Sequence, residues 1–316
     1  MRTIARMFVA ALAAAAAIHA SAPSANAQGM VPARGSGSVT VGYQTGLITE
    51  HLLVDRAVGG VRINTHALLV DFSVGLGRSF GLGVALPLVA ARYNGRAPHV
   101  PSAEELLLHP DFTLIDDGRY HTAFQDFRVE LRYAFDRGGL HLMPFVTAVL
   151  PSHNYEFLGH AAVGRRVNEL RTGVALHRLL TPWSARSYVQ AHAAFAFQEG
   201  FGGVSRNATH LNLEGGYFLR PNLTVFGGAI FHTTHGGIDL HGDPRVEFSG
   251  PYFLNHDRIA RERMFSLGGG ASYSLSDAYS VGGTISRTVK GINGHFQAFV
   301  FTLLVSRSFG GPHSHN

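Results

Sequence analysis

The residues best suited to chemistry form a short ladder of alternating charges. In the stretch QDFRVELRY at 125–133, every second residue is charged: Asp126, Arg128, Glu130 and Arg132. A period of two places these side chains on one face of a β-strand and the apolar residues between them on the other. Such a ladder sorts solutes when it lines a pore, or forms a salt-bridged plug when it fills one. Both interpretations remain open at this stage.

Two later stretches repeat the alternation with mostly uncharged polar side chains. They are YVQAHAAFAF at 188–197 and HLNLE at 210–214. Polar residues facing inward and apolar residues facing outward are typical of a barrel with a wet lumen. We therefore expect one set of lumen-lining residues, namely Asp126, Arg128, Glu130, Arg132, Gln190, His192, His210, Asn212 and Glu214.

A histidine-rich stretch, HTTHGGIDLHGD at 232–243, raises the question of a metal site. It contains His232, His235, Asp239, His241 and Asp243. Imidazole and carboxylate groups suit zinc or copper. However, no two of these histidines have the i, i+4 spacing of a helical zinc enzyme, and glycines interrupt the stretch. We predict no metal site and no cofactor.

The elements that must position these residues are long strands. Alternating runs of about 10–15 residues recur along the chain, whereas strands of soluble proteins average five or six. A tilted strand needs 9–11 residues to cross a bilayer. The twelve predicted strands lie near 38–49, 62–77, 80–93, 122–136, 140–151, 170–180, 187–198, 207–219, 223–235, 262–275, 279–290 and 295–309.

The connections between these strands alternate between short and long. Tight connections rich in turn-forming residues fall at 78–79, 136–139, 181–185, 220–222 and 276–278. The others fall at 50–61, 94–121, 152–169, 199–206, 236–261 and 291–294. This rhythm predicts an all-β transmembrane antiparallel barrel of about 12 strands, with short periplasmic turns and long outer loops. A soluble periplasmic sandwich is the alternative fold, because its strands alternate with the apolar side inward.

The last strand and two prolines bear on how such a barrel closes. HFQAFVFTLLVSRSF at 295–309 ends in Phe309. It resembles the C-terminal signal recognised by the bacterial barrel-insertion machinery, which is therefore a predicted partner. Lipid offers no hydrogen bonds, so the last strand must pair with the first. Pro87 and Pro144 each remove a ladder donor, and we expect bulges or kinks there.

The N-terminus predicts export. Residues 1–27 combine Arg2 and Arg6, an apolar stretch and an Ala-Asn-Ala site, as in a cleaved signal peptide. The remaining 28–316 form a single predicted barrel domain. The absence of cysteine excludes a disulfide framework. No basic cluster alternates with aromatic residues, so nucleic acid is not an expected partner.

One connection is especially dense in polar and aromatic residues: PSHNYEFLGHAAVGRRVNELR at 151–171. Together with LGVALPL at 82–88 and the barrel pattern, it resembles the outer-membrane family called putative MetA-pathway of phenol degradation, whose members look like small-solute channels. The resemblance implies solute uptake and singles out His153, Asn154, Tyr155, His160, Gly164, Asn168 and Glu169 as special positions. They either constrict the lumen and contact the solute, or they hold an ordered loop through hydrogen bonds.

Two groups of residues echo outer-membrane hydrolases. Ser152, His153 and Asn154 have the residue types of a phospholipase site, but three consecutive side chains cannot supply nucleophile, base and orienting group together. The other group echoes omptin-type proteases and consists of Asp116, Asp117, Asp239 and His241. Its flanking sequence does not match such a protease. We predict no enzyme and no catalytic residue.

The sequence thus predicts a channel in the cell outer membrane that passes a small solute, with hydrophobic and aromatic compounds as candidates, without a chemical step. Its other expected partners are outer-membrane lipid and lipopolysaccharide. A plugged structural or adhesive barrel that displays the loops 94–121 and 236–261 is the main alternative, and a hydrolase is the weaker one. Twelve strands leave a narrow interior, so an inserted loop could nearly close it.

Overall fold

The computed structural model describes residues 31–95, 103–108, 110, 113–181, 184, 186–241 and 255–310. Over these residues the chain is almost entirely β, with two short helices, α1 (Ala103–Leu108) and α2 (His256–Ile259). Neither of these helices is long and apolar enough to cross a bilayer. The predicted signal peptide lies outside the described residues.

Fourteen strand segments form one antiparallel sheet. They are β1 (Gly37–Leu52), β2 (Ala57–Gly75), β3 (Phe80–Tyr93), β4 (His121–Phe124), β5 (Phe127–Tyr133), β6 (Phe135–Arg137), β7 (Leu140–Leu150), β8 (Glu169–Leu179), β9 (Ser187–Gln198), β10 (Arg206–Arg220), β11 (Leu223–Gly236), β12 (Arg263–Ser274), β13 (Tyr279–Ile292) and β14 (Gly294–Phe309). The segments β4, β5 and β6 are consecutive parts of one interrupted strand. The sheet is therefore a twelve-stranded barrel, as predicted.

The barrel closes between its first and last strands. β1 pairs with β14 from Gly37 opposite Phe309 to Leu52 opposite Gly294, and β2 continues the ring to β3. This pairing is the one the C-terminal strand predicts. Closure gives the backbone N–H and C=O groups of the edge strands the hydrogen bonds that lipid could not supply. Both described ends of the chain then lie at the rim that carries the short turns.

The apolar face of the strands points outward. Val41, Leu131, Phe301 and Leu303 are 40–47 % exposed although they are large and apolar. The alternate positions face a partly polar interior, where Gln44 is buried and donates to Thr302 Oγ1 at 2.9 Å. A soluble sandwich would bury its apolar face instead, so that alternative is wrong.

Both prolines interrupt the ladder. β3 pairs with β4 up to Leu88 opposite Phe124 and resumes with β5 one residue out of register, so that a bulge lies opposite Pro87. Pro144 faces the break between β5 and β6, where the register is unchanged. The bulge at Pro87 places two consecutive residues, Gln125 and Asp126, on the inner side of the wall, since both bond to groups inside.

Two outer connections are shorter than expected. β1 and β2 run on to Leu52 and Ala57, so the predicted connection 50–61 shrinks to 53–56. A single residue, Asn293, joins β13 to β14 with φ +51°, a conformation that asparagine tolerates better than most residues. Its buried amide bonds to Leu240 N at 3.1 Å and Arg261 O at 2.7 Å. Tertiary hydrogen bonds therefore tighten a turn that the sequence pattern predicts to be longer.

Candidate solute pathway through the barrel

The connection between β7 and β8, residues 151–168, turns into the barrel, and we call it the inner loop. β7 ends at Leu150 opposite Phe127, so the segment β4 pairs only with β3 among the described strands. Ser152 Oγ instead donates to Phe124 O at 2.7 Å. The chain thus leaves the wall beside β4. Glu169, predicted as a loop residue, is the first residue of β8.

The deepest part of the inner loop packs against the inner face of β2 and β3. Tyr155 and Val163 form one buried cluster with Ala67, Leu69 and Val89. All five side chains are at most 6 % exposed. Leu69 lies six positions from the inner end of β2, so this contact reaches the middle of the wall. The predicted constriction residue Tyr155 therefore lies inside the lumen.

Nearer the outer rim the contact is also apolar. Ala161 and Ala162 of the inner loop pack with Ile48, Ile63 and Tyr93 of the first three strands. The loop side chains here are small, which lets its backbone approach the wall closely. Hydrophobic packing thus holds the inner loop against one side of the barrel along its outer half.

The bulge opposite Pro87 supplies the polar anchors of the inner loop. Gln125 Nε2 donates to Val163 O at 2.6 Å, and the Tyr155 hydroxyl donates to Asp126 Oδ1. Burial and the Asp126 carboxylate raise the pKa of the Tyr155 phenol above its ordinary value of about 10. Asp126, predicted as a lumen-charge residue, therefore serves as an anchor for the loop.

The predicted position Gly164 fits the same anchor. A Cβ on Gly164 would lie 2.6 Å from the Tyr155 hydroxyl and 3.0 Å from Gln125 Cγ. The first distance is shorter than real Cβ atoms show, so any side chain here would displace the Tyr155 hydroxyl. Glycine is required at this position by close approach.

A cluster of imidazoles joins the inner loop to the outer rim. His160 Nδ1 lies 2.6 Å from Asp116 Oδ2, and the His160 ring stacks on Tyr93 with 4.1 Å between centroids. The His51 ring lies 5.4 Å from His160 and 4.7 Å from His295. These side chains are almost fully buried. The predicted position His160 therefore holds the loop and is screened from solvent.

The segment around α2 adds a cationic clasp. Arg258 Nε donates to Arg165 O at 2.7 Å, and its guanidinium lies 3.5 Å from the Phe157 ring centroid. The same guanidinium lies 4.3 Å from Phe201. Burial, reinforced by the Arg166 cation, lowers the pKa of Arg258 to about 10. Sequence reasoning missed Arg258, because nothing local marks it as a partner of the inner loop.

Below the inner loop lies a cavity of about 330 Å³. It occupies the half of the barrel next to the short turns, which we call the inner half; the half next to the long connections is the outer half. Seven predicted lumen residues line it: Arg128, Glu130, Arg132, Gln190, His192, Asn212 and Glu214. Ser38 and Ser306, close to the inner rim, line it as well. His210 lies outside the cavity, where His232 Nδ1 approaches its Nδ1 at 3.2 Å. Most of the predicted lumen set is thus brought together.

One wall of the cavity carries the predicted charge ladder. Arg132 and Glu130 form an ion pair at 2.9 Å, and Thr147 Oγ1 donates to Glu130 at 2.8 Å. A Cβ on Gly83 would lie 2.8 Å from an Arg132 terminal nitrogen. The absence of a side chain at Gly83 therefore makes room for the guanidinium. The ladder is an ion-paired surface beside open space.

Two further charges of this half lie outside the predicted set of lumen residues. Ala85 stands opposite Asp71 on one neighbouring strand and opposite Arg128 on the other, so the two charges lie in one row across the wall. Both side chains line the cavity. Arg171 also lines the cavity and pairs with Glu169. A lone carboxylate at an inward position of the apolar stretch 68–75 is the signal that could have identified Asp71.

The adjoining wall, on β7, β9 and β10, mixes aromatic and polar groups, and Phe145 stands opposite Arg132 in the register. Tyr188 Oη and Gln190 Nε2 both donate to Glu214 Oε1, at 2.7 and 2.9 Å. Phe145 and the predicted residue His192 stack with ring centroids 4.4 Å apart. The cavity therefore offers flat rings as well as charges to a solute.

The remaining predicted loop positions are exposed and lie near the two ends of the inner loop. His153 and Asn154 are exposed. Asn168 is exposed too, and its Nδ2 donates to Glu199 at 2.9 Å. These three side chains order the ends of the loop or face solvent.

The groups that echo enzymes do not assemble an active site. Ser152 Oγ lies 2.9 Å from His153 Nδ1, but its proton goes to the Phe124 carbonyl. Asp116 is buried beneath His160, and Asp239 pairs with Arg261. Asp239 therefore pairs with a guanidinium and not with His241, as the resemblance to omptin-type proteases would require.

The histidine-rich stretch is split between two sides of the wall. His232 lies inside, 3.3 Å from Glu262, whereas His235 stacks on Phe195. Asp243 lies outside the described residues. Across the part of the chain that the structure describes, no three His, Asp or Glu side chains converge in a metal-binding arrangement.

No protein-family model and no curated protein matches the sequence, so the resemblance to the phenol-degradation family stays a prediction. The fold is similar to an outer membrane channel from Pseudomonas putida F1, with a TM-score of 0.67, 14 % identity, and coverage of 91 % of this chain and 100 % of that one. It is also similar to the β-domain of the Bordetella autotransporter BrkA, with a TM-score of 0.50, 10 % identity, and coverage of 87 % and 99 %. These similarities show the barrel fold.

Proposed function

We propose that this protein is an outer-membrane channel for a small solute, closed at rest by its inner loop. The observation that carries the proposal is the charged cavity of about 330 Å³ beneath the loop. Its volume falls at the lower end of the range for small-molecule sites. A barrel that serves only as a scaffold gains nothing from a cavity lined by charged side chains.

The membrane assignment is supported by the outer surface of the barrel. Large apolar side chains are exposed around it, among them Leu68, Leu131, Leu213 and Phe301. An apolar surface of this extent has no place in water. Closure of the sheet between β1 and β14 also satisfies the requirement that lipid imposes on backbone groups.

A hydrophobic or aromatic solute is the class that the path favours. Between the inner loop and the wall, the outer half offers Leu69, Val89 and Val163, all apolar. In the inner half, the Phe145–His192 stack presents flat faces to the cavity. A planar apolar solute could exchange one such contact for the next, with the ladder charges fixing a polar substituent.

Passage involves no chemical step in this proposal. The Asp116–His160 couple is buried, and the Ser152 hydroxyl is bonded to a backbone carbonyl. Neither presents a reactive group to the cavity. The paired charges of Glu130 and Arg132 act on the solute through their field.

Planar-bilayer conductance tests this function directly. We expect the refolded protein to show rare, brief openings, and a variant with residues 156–166 replaced by a short Gly-Ser linker to show sustained steps. A matched control replaces Ser276 and Asp277, which are exposed in the short turn between β12 and β13, with Gly-Ser. The control should conduct like the parent chain. Silence of the linker variant, with the barrel shown to be folded, would overturn the channel assignment.

The second candidate, a plugged structural barrel, is favoured by one observation. The inner loop has a well-packed interface, with Ala161 and Leu158 at most 2 % exposed. A permanent plug would look the same at rest. The two functions differ in the solute response: aromatic and aliphatic solutes added to the parent chain should lengthen the openings of a channel and leave a plugged barrel unchanged.

A further inference from the structure

A compact group of polar and aromatic side chains lies on the outside of the barrel wall. We call it the outer-wall patch: Arg62, Asn64 and His66 on β2, Arg92 on β3, and Tyr120 just before β4. Their neighbours Ile63 and Tyr93 point inward and are buried, so the alternating positions face outward. None of these side chains contributes to the cavity or to the inner loop.

The apolar surface next to the patch shows at which level of the membrane the patch lies. On β2 the outward positions Leu68, Val70 and Phe72 are 39–45 % exposed and apolar. The next outward positions toward the long connections are His66 and then Asn64. The patch therefore begins where the lipid-facing band ends, at the level of the outer headgroups.

Within the patch the rings and a guanidinium form a chain of contacts. The Arg92 Cζ lies 4.6 Å from the Tyr120 ring centroid, and Tyr120 Oη lies 3.0 Å from His66 Nε2. His66 Nδ1 lies 2.6 Å from Tyr43 Oη. Ala90 stands opposite His66 in the register, and its small side chain leaves space for the His66–Tyr120 contact across β3.

The second guanidinium is placed beside the first by the strand register. Asn64 is opposite Arg92, and Asn94 N donates to Arg62 O at 2.8 Å. Arg62 and Arg92 are therefore diagonal neighbours on the outer face, within reach of one group. With its amide turned so that the oxygen faces Arg92, Asn94 accepts from Arg92 Nε at 3.0 Å. This bond leaves the terminal nitrogens of the guanidinium available.

The charge of the patch is positive. Among the described residues, neither Arg62 nor Arg92 has a carboxylate within ion-pair distance, and the nearby Asp117 is bonded to Arg119 and His121. Those bonds, with His121 foremost, hold the pKa of Asp117 well below its usual range. Two guanidinium groups thus face the headgroup layer together.

We propose that the outer-wall patch binds the phosphate-bearing headgroup of an outer-leaflet glycolipid. Arginine forks match phosphate geometry, and they are favoured where phosphate is recognised. Tyrosine is suited to the boundary between lipid and water. The acyl chains of the same lipid would lie on the apolar band of β2 and β3. This continuity of charged and apolar surface favours a lipid over free phosphate.

Native mass spectrometry of the detergent-solubilised full chain tests the proposal, with bisphosphorylated lipid A as the added probe. We expect the double variant Arg62→Gln/Arg92→Gln to bind it at least about tenfold more weakly, since bonds to charged groups contribute most at such sites. Arg78→Gln is the matched control, because Arg78 is exposed at an inner turn. It should bind as tightly as the parent chain.

Two further arms keep the outcome decisive. Dephosphorylated lipid A should bind parent chain and double variant equally, and millimolar inorganic phosphate should not displace bound lipid A. Equal loss of lipid A in the Arg78→Gln and double variants would overturn the site, as would displacement by free phosphate. Equal binding of dephosphorylated lipid A by the two proteins also shows that the double variant is folded, so its loss of lipid A binding would not reflect misfolding.

Discussion

The two halves of the lumen are built from the same alternating strands, yet their interiors differ. In the outer half, small and apolar inward residues such as Ala67 and Val89 are covered by the inner loop. In the inner half, charged inward residues such as Arg128 and Glu130 surround a cavity. Alternation therefore settles which residues share a face, whereas the size and polarity of the inward residues settle whether the interior is filled or open.

The halves are also held by different forces. Apolar burial and hydrogen bonds to buried groups stabilise the inner loop, and these contributions are large when a partner is removed. In the inner half, the Glu130–Arg132 pair is partly exposed, and such pairs contribute little to stability. Substitutions in the outer half should therefore alter opening, and those in the inner half should alter selectivity.

The largest effect is expected from Tyr93→Ala. Tyr93 is 2 % exposed and stacks on His160, and truncating a buried aromatic side chain costs about 3–5 kcal/mol. Because Tyr93 contacts the inner loop, much of this cost destabilises the closed state, in which the loop is packed against the wall. Bilayer recordings should therefore show a large increase in open time. Tyr133→Ala removes a ring of the same kind from the lipid face and should leave the recordings unchanged. Equal behaviour of the two variants would contradict the division between the halves.

A smaller effect is expected from Tyr155→Phe. It removes the hydroxyl that donates to Asp126 and accepts from Arg166 N at 2.7 Å. Leaving buried groups without a partner costs about 1–3 kcal/mol, so openings should be more frequent than in the parent chain and rarer than in Tyr93→Ala. Protease cleavage within the inner loop offers an independent measure of its release. Unchanged cleavage and conductance would show that the bulge does not anchor the loop.

The same hydroxyl makes closure depend on pH. The pKa of Tyr155 is raised in the closed state by burial and by Asp126. Its contribution to closure is therefore fully present below its ordinary pKa of about 10 and is lost as the pH rises beyond it. Open probability should increase between about pH 10 and 12 in the parent chain. The Tyr155→Phe variant should lack this component, and an identical rise in both would assign it to another group.

The contrast also explains what the sequence could predict. The period of two in 125–133 is enough to place Arg128, Glu130 and Arg132 on the lumen wall, because strand geometry is local. The anchor role of Asp126 depends on the register shift opposite Pro87 and on a hydroxyl 29 positions away. Arg258 reaches the inner loop across 93 positions. Contacts of this kind follow from the closed barrel, and no local pattern encodes them.

The smallest effect on stability, and the sharpest test of the inner half, is expected from the ladder itself. In the linker variant that lacks the inner loop, Arg132→Gln would leave Glu130 without its ion-pair partner at 2.9 Å. The local field then becomes more negative, so the reversal potential in a salt gradient should shift toward cation selectivity. Glu130→Gln should shift it the other way.

Both changes should alter the free energy of unfolding by less than about 1 kcal/mol, because the pair is partly exposed to water. Arg137→Gln, at an exposed inner turn, removes the same charge outside the cavity and should leave the reversal potential near that of its parent. Opposite shifts from Arg132 and Glu130, with no shift from Arg137, would show that the inner half selects the solute by its charges while the outer half controls access. Shifts of equal sign would instead make the ladder a structural pair.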